Sequence, residues 1–285
     1  MLRKNALLLC GILSTSVLFA RSSLLGKTSY KASSIKDLSI NLSWEDLEIV
    51  STNDSEITVE IYCNKKKIAP TVKESFSTLS IDTQPFKFGF AMEKKECVVV
   101  VSVPQGKSFE KSSIHISSGD VSVNNFTSQE SVFTSSSGNI KLNIFETQKL
   151  HCSASSGNIT AKGLICQSFK ASTSSGTIGL ELDNTPIKKS EVSTSSGTVY
   201  VSLPGNSSVN IKATTSSGSF TNAFTKERIT SHAGYSGSIN GGGAEIIFSS
   251  SSGSITVDSN DSASSTRSLL ENDTDIPVVI FEDAN

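Results

Sequence analysis

The chain has 285 residues, of which 36% are hydrophobic and 7% aromatic, and its 25 lysines and arginines nearly balance 27 aspartates and glutamates, for a formal charge of -2. A near-neutral chain whose lysines are scattered lacks the basic stripe of nucleic-acid-binding proteins, so we exclude nucleic acid as a partner. The length permits one or two domains.

The first 22 residues have the pattern of an export signal. Arg3 and Lys4 precede an apolar run over residues 6–20, as in a secretory signal peptide. We expect cleavage after Ala20 or Ser22, and the alternative is an uncleaved anchor, which at about 15 residues is short for a bilayer span. No later segment is long and apolar enough to cross a bilayer. The sequence therefore predicts an exported chain in the periplasm, the cell envelope or at the cell surface.

Residues 36–111 predict an irregular N-terminal β region that caps the following repeats and is continuous with them. Apolar and polar residues alternate over 37–49, with Glu45 as a corner between two strands, as expected for strands with one buried face. Further strands are predicted over 57–62, 76–81 and 97–103.

Two other features of this region carry no strand alternation. Residues 64–70 and 84–95 are expected to bulge out as loops. Trp44, the only tryptophan, lies at the predicted corner. We expect it to cover the open end of the stack, since terminal repeats are usually atypical; a binding aromatic is the alternative.

Residues 112–257 repeat the motif Ser-Ser-Gly, once in the degenerate form Tyr-Ser-Gly. The predicted turn glycines are Gly119, Gly138, Gly157, Gly176, Gly197, Gly218, Gly237 and Gly253, at intervals of 19, 19, 19, 21, 21, 19 and 16 residues. A period near 20 residues is typical of a solenoid.

The residues around each glycine follow a period of two. Every copy has an apolar residue two positions after the glycine: Val121, Ile140, Ile159, Ile178, Val199, Phe220, Ile239 and Ile255. Alternation before and after the glycine predicts two strands joined by a tight turn. We therefore predict an all-β, single-stranded β-solenoid of about 19–21 residues per rung, with each glycine providing the positive φ of a tight corner.

The two longer intervals place extra residues at 183–189 and 203–208, which we expect on the side opposite the Ser-Ser-Gly corner. After Val257 the repeat ends. Residues 258–285 are predicted to form an acidic disordered tail, in which 277–281 could add a weak strand at the end of the stack.

The chain resembles a bacterial family of exported adhesin-like domains of unknown function. The resemblance rests on the strand pair of residues 38–49, the valine-rich strand 98–104, Ser117-Ser118-Gly119-Asp120-Val121 with its later copies, and Leu203-Pro204. It implies a single-chain β-solenoid, in some members associated with envelope-stress systems. This sequence departs from the family at the acidic residue after the glycine, which is kept as Asp120 and replaced in later copies by Asn139, Asn158 and others.

Little in the sequence points to catalysis. His115, His151 and His232 lie at different distances from their glycines, so stacking does not bring them together. His232 is at an inward position, where we expect a hydrogen-bonded core residue. Metal-binding spacings such as CxxC or HxxxH are absent, and no histidine pairs with the recurring serines. We predict a non-enzymatic protein without a cofactor or metal.

Four cysteines remain after removal of the signal. In an exported chain an even number suggests disulfides, and four cysteines allow three pairings. We favour Cys63 with Cys97, at the edges of neighbouring strands, and Cys152 with Cys166 in one rung. A small buried apolar residue would explain Cys152 equally well.

Two functions follow from these predictions. The first is a non-catalytic, adhesin-like surface or scaffold module that binds a protein or glycan at the cell envelope, acting as a monomer. The second is a regulatory, envelope-stress-associated protein that contacts a membrane partner through a retained N terminus.

Overall fold

A computed structural model describes residues 23–84, 96–230 and 233–261. The predicted signal (1–22), most of the predicted loop 84–95, His232 and the tail from residue 262 lie outside the described residues.

Twenty strands and one short 3₁₀ helix, Lys66–Ile68, form the described part of the chain. The strands are β1 (Ser23–Lys31), β2 (Asp37–Leu42), β3 (Asp46–Thr52), β4 (Glu56–Cys63), β5 (Thr71–Ser75), β6 (Thr78–Asp82), β7 (Cys97–Pro104), β8 (Ser108–Ile116), β9 (Val121–Ser135), β10 (Ile140–Ala154), β11 (Ile159–Thr173), β12 (Ile178–Leu182), β13 (Ser190–Thr194), β14 (Val199–Leu203), β15 (Val209–Thr215), β16 (Ser219–Asn222), β17 (Glu227–Thr230), β18 (Ala233–Ile239), β19 (Ala244–Ser250) and β20 (Ser254–Ser259). All of them belong to one hydrogen-bonded sheet, which confirms the predicted all-β solenoid.

The regular rungs are three-sided. β9, β10 and β11 pair in parallel with a register shift of 19 residues, and each bends where two outward residues adjoin, as its burial pattern shows. The first bend contains Asn125, Ile144 and Gly163, all with positive φ of 51 to 61°. We call the segment after the Ser-Ser-Gly corner the first side, the segment after this bend the second side, and the segment leading into the next Ser-Ser-Gly corner the third side.

Inward side chains form continuous columns through the stack. Val121, Ile140, Ile159 and Ile178 are direct partners on successive rungs of the first side. On the second side, the Phe126 ring is stacked between Phe109, 5.1 Å away, and Phe145, 5.6 Å away. Each column buries apolar surface that one rung alone would leave in water.

The rungs do not follow the order of the chain at either end of the stack. The order in space on the first side is β7, β3, β9, β10, β11, β12, β14, β20 and β16. The third side follows the same plan, in the order β6, β2, β8, β9, β10, β11, β13, β19 and β15. The rung β2–β3 thus lies one position further from its end of the stack than the rung β6–β7. At the opposite end, the last rung in sequence, β19–β20, lies one position further from the end than the rung β15–β16.

Antiparallel strands close both ends. At one end β4 pairs with β7, β1 with β4, and β5 with β6; at the other end β17 pairs with β16 and β18 with β15. The prediction that Gly237 forms a corner is therefore wrong. Gly237 lies within β18 opposite Ile211, because the chain reverses there to cover the stack instead of adding a rung.

The corner glycines are required for a different reason from the one that we predicted. Positive φ among the described glycines is confined to Gly106, Gly163, Gly241 and Gly242, so the corners do not need it. A Cβ atom on any corner glycine would instead lie 1.6 to 2.1 Å from a backbone oxygen of the neighbouring rung. Because rungs stack about 4.8 Å apart, the corner has no room for a side chain.

The cysteines differ in their pairing. Cys63 and Cys97 are opposite each other on β4 and β7, with Cα atoms 4.1 Å apart, and form a disulfide. Cys152 and Cys166 are free and buried, in contrast to the predicted bridge. They lie on adjacent rungs but on different sides of the coil, since Cys152 is the partner of Ala171 and Cys166 that of Thr147.

Candidate ligand-binding groove

A groove of about 600 Å³ runs along the third side next to the Ser-Ser-Gly corner, across five rungs. Its lining is polar apart from Leu42 and Ile116. The lining residues are Asn41, Leu42, Ser43, Asp82, Thr83, His115, Ile116, Ser117, Thr134, Ser135, Ser136, Ser153 and Ser155.

Hydroxyl groups line the groove because the repeat places equivalent residues on top of one another. On the third side, one outward column pairs residue by residue from Asp82 to Thr214. Its members are Asp82, Asn41, His115, Thr134, Ser153, Ser172, Ser193, Ser249 and Thr214. The first serine of each corner forms a second column beside it, exposed at Ser117, Ser136, Ser155, Ser174, Ser195, Ser251 and Ser216. We call these two columns the hydroxyl array.

Hydrogen bonds between rungs hold the groove side chains. The Asn41 amide donates to Asp82 Oδ1 at 2.8 Å, and His115 Nδ1 lies 2.6 Å from the Thr134 hydroxyl. Further along the array, Ser172 donates to the Ser153 hydroxyl at 3.2 Å. These contacts use part of the hydrogen-bonding capacity of each group, because a hydroxyl donates once and accepts twice.

Glu45 lies at the corner of the second rung and is hydrogen-bonded to two residues of the groove lining. Its carboxylate is fully buried and accepts the backbone N–H of Ser43 at 2.9 Å, that of Trp44 at 3.0 Å and the Thr83 hydroxyl at 2.7 Å. Glu45 takes the place of a corner glycine, since its carbonyl oxygen is the atom that a Cβ on Gly119 would strike.

Trp44 packs partly buried against the core at this same corner. The corner belongs to β2–β3, one rung inside the end of the stack. Trp44 therefore does not cover the open end of the stack, in contrast to our expectation. It is also absent from the lining of the groove.

A ladder of carboxylate and amide side chains lies on the other face of the corner. Over four successive rungs, the side chain that follows the corner residue accepts a hydrogen bond from the backbone N–H of its counterpart on the next rung. Asp46 accepts from Asp120 at 2.9 Å, Asp120 from Asn139 at 2.7 Å, Asn139 from Asn158 at 3.1 Å and Asn158 from Thr177 at 2.8 Å. The column thus satisfies backbone donors where the sheet is interrupted by the corner. Aspartate and asparagine serve equally here, because both offer an acceptor oxygen.

Burial affects two acidic residues of β3: Asp46, the first member of the ladder, and Glu48, two positions further along the strand. Burial is the main cause that raises the pKa of Asp46, and burial together with the Asp46 charge raises the pKa of Glu48 to about 6. Sequence analysis missed this pair, whose only signal was the spacing of two outward positions in β3.

The remaining candidates for chemistry are dispersed. His151 lies outside the groove lining, and burial followed by the charges of Lys170 and Lys149 lowers its pKa. Within residues 23–84, 96–230 and 233–261, no three His, Cys, Asp or Glu residues are grouped so that they could hold a metal ion. No helix in these ranges is long and apolar enough to span a bilayer.

The fold and the groove together define a three-sided parallel β-solenoid with a hydroxyl-lined surface along one corner. Two segments, residues 35–192 and 167–258, match the Toastrack DUF4097 family model. The chain belongs to this family.

The chain is similar to several solved structures. A candidate cell adhesion protein from Clostridium sporogenes is 13% identical, with a TM-score of 0.42, and the match covers 84% of this chain and 100% of that one. A candidate adhesin from Bacteroides fragilis is 15% identical, with a TM-score of 0.44 and coverage of 83% and 97%. A candidate lipid-binding protein from Parabacteroides distasonis is 16% identical, with a TM-score of 0.44 and coverage of 81% and 96%. No curated protein matches the chain.

Proposed function

We propose that this chain is an exported, non-catalytic, adhesin-like module that binds a hydroxyl-rich ligand, a glycan of the cell envelope, in the groove along its Ser-Ser-Gly corner. The observation that carries the proposal is the hydroxyl array, in which equivalent polar groups repeat at each rung, about every 4.8 Å. Export is supported by the apolar run over residues 6–20 behind Arg3 and Lys4.

The chemistry of the groove favours recognition of a neutral polar ligand. Its ionisable side chains are one acidic residue, Asp82, and one basic residue, His115. The remaining polar lining consists of hydroxyl groups and one amide, which donate to and accept from sugar hydroxyls. Acceptors and donors at a regular spacing suit a chain of repeated sugar units better than a compact small molecule.

The same two groups are placed poorly for acid–base catalysis. Asn41 lies between Asp82 and His115 in the column, so they are two rungs, or about 10 Å, apart. Asp82 accepts a hydrogen bond from Asn41, and His115 bonds to Thr134. These contacts support a binding role.

The proposal is tested by measuring Kd with calorimetry for a defined panel of oligosaccharides that includes cell-wall glycan fragments. The double variant Thr134→Val and Ser153→Ala removes two hydroxyls from the groove, and at about 1 kcal/mol for each hydrogen bond we expect Kd to rise about 30-fold. Ser249→Ala with Thr214→Val removes two hydroxyls from the same column outside the groove, and its Kd should match that of the parent chain. Absence of binding to every glycan, or equal losses in both double variants, would contradict the proposal.

A further inference from the structure

The end of the stack formed by β1, β5 and the 3₁₀ helix presents side chains that the glycan proposal does not use. We call this surface the cap end. β1 pairs with β4 alone and β5 with β6 alone, so both strands form the outermost layer of the solenoid. The free edges of β1 and β5 therefore mark this end of the stack, and the turn that joins β5 to β6 lies at the same end.

A fully exposed aromatic residue projects from the cap end. Phe76 is 100% exposed, in the two-residue turn that joins β5 to β6. Its φ is 53°, in a turn position that glycine adopts more readily. Phe76 therefore has a large apolar ring without a packing partner and a backbone conformation that is unfavourable for residues other than glycine. Both features are expected of a residue that contacts another surface.

Exposed lysines accompany this ring on the same layer. Lys66 and Lys67 are exposed in the 3₁₀ helix between β4 and β5, and Lys73 is exposed on β5. The one acidic residue of β5, Glu74, accepts a hydrogen bond from Ser34. Lys66 and Lys67 precede β5 and Phe76 follows it, so the lysines and the ring lie at the two ends of a strand about 17 Å long. Exposed lysines and an exposed aromatic ring on one layer are residue types found on surfaces that bind anionic bilayers, where the ring enters the interface and the lysines approach the headgroups.

The N-terminal segment reaches the fold at this same place. β1 begins at Ser23, directly opposite Cys63 on β4, and Cys63 lies three residues before Lys66. The apolar run over residues 6–20 therefore joins the folded part beside the lysines. The cap end is thus the part of the solenoid nearest to the membrane whenever that run is inserted.

We propose that the cap end docks on an anionic lipid bilayer, with Phe76 in the interface and Lys66 and Lys67 at the headgroups. This contact is independent of glycan binding, which uses the corner groove. In this arrangement the solenoid stands on the membrane with its opposite end, capped by β17 and β18, pointing away.

Orientation on the membrane is the decisive measurement, because residues 1–22 alone could hold the protein at a vesicle in any orientation. The full chain is reconstituted in vesicles of phosphatidylcholine and phosphatidylglycerol as the variant Phe76→Trp or as Ile187→Trp. Ile187 is the matched control, since it is 67% exposed but lies on the second side of a middle rung. The signal of Trp44, common to both variants, is subtracted with the parent chain.

We expect tryptophan emission from Phe76→Trp to shift to the blue and to be quenched by lipids brominated in their acyl chains, whereas emission from Ile187→Trp stays unchanged. Lys66→Glu with Lys67→Glu should abolish this quenching, and Lys226→Glu with Arg228→Glu, at the opposite end, should leave it intact. Equal quenching at both tryptophan positions, quenching at neither, or insensitivity to the Lys66 and Lys67 changes would overturn the proposal.

Discussion

No corner glycine has room for even a single methyl group. The Cβ of an alanine at position 157 would lie 1.9 Å from the Gly138 carbonyl oxygen, so the two rungs would have to separate locally. Serine at the two preceding positions is compatible with the corner because those side chains point outward and are exposed. The glycine column therefore sets how closely rungs approach, and the adjoining serines set what the corner presents to solvent.

Gly157→Ala should lower the free energy of unfolding by about 3 kcal/mol, at the upper end of the cost of overpacking. Gly26→Ala is the matched control, because a Cβ at position 26 meets nothing within 4 Å, and its stability should stay within about 0.5 kcal/mol of the parent chain. Urea unfolding monitored by circular dichroism measures both. Similar stabilities for the two variants would contradict the close-approach explanation.

The Glu48 carboxyl makes stability depend on pH. Its pKa is raised from 4.5 to about 6 in the folded chain, so the folded state binds this proton more tightly than the unfolded state does. The contribution to stability is therefore fully present below about pH 4.5 and is lost as the pH rises through 6. Replacing the carboxyl with a neutral amide should remove this loss.

Glu48→Gln should accordingly raise the melting temperature relative to the parent chain at pH 7.5, and the gain should disappear at pH 4. Glu146→Gln is the control, since Glu146 is an exposed carboxyl on the second side of the regular rungs. Differential scanning calorimetry at the two pH values gives the comparison. A gain from Glu48→Gln that is the same at both pH values would show that desolvation of its charge is not the cause.

At the scale of the strand, most of the pattern was accessible from sequence and the pairing partners were less so. Alternation around the glycines predicts strands and the inward columns, because a strand with one buried face repeats every two residues. The bends at Asn125 and Ile144 were missed, since asparagine and isoleucine give no sign of the positive φ that they adopt there. These bends divide the first side from the second within each of the long strands.

The cysteines show how position in a strand pair decides reactivity. Cys63 and Cys97 face each other across an antiparallel pair, whereas Cys152 and Cys166 are buried on different sides of the coil. Burial raises the pKa of Cys166 to about 12 and raises that of Cys152 as well. Because the thiolate is the reactive form, both thiols should be inert in the folded protein.

In the chain without residues 1–22, which contain Cys10, iodoacetamide should therefore label neither Cys152 nor Cys166 at pH 8 until the protein is unfolded, after which two labels appear without reduction and four appear with it. Peptide mass spectrometry after each treatment provides the measurement. Rapid labelling of the folded chain, or only linked cysteines after unfolding, would show that the core thiols are exposed or bridged.

At the scale of the whole molecule, the order of the rungs is the feature that sequence could not predict. The repeat predicts similar rungs, and similar rungs can stack in any order that satisfies the strand edges. The candidate groove was equally hidden, because it combines Asp82, Asn41 and His115, whose succession depends on β2 lying between β6 and β8. Only the columns within 112–194 follow directly from a fixed repeat length.

The nested rung gives a sharp prediction for truncation. A chain that ends at residue 243 lacks β19 and β20, so β13 and β14 on one side, and β15 and β16 on the other, each lose one of their two partners, and β15 and β16 lose their connection to the stack. Hydrogen exchange should show loss of protection from β13 to β18 together, while β9 to β11 keep theirs. If only the residues next to the cut lost protection, the nested order would be wrong.

This arrangement also fixes a sequence of events for folding. β15 and β16 are synthesised before β19 and β20, but in the described part of the chain they are joined to the rest of the stack only through β19 and β20. During synthesis and passage across a membrane, β13 to β16 therefore keep unpaired edges until β19 and β20 have emerged. At roughly 5–20 residues per second, the ribosome needs about 2 to 7 s to add the residues between the end of β16 and the end of β20, and the partly paired form is open to proteases and chaperones during that time.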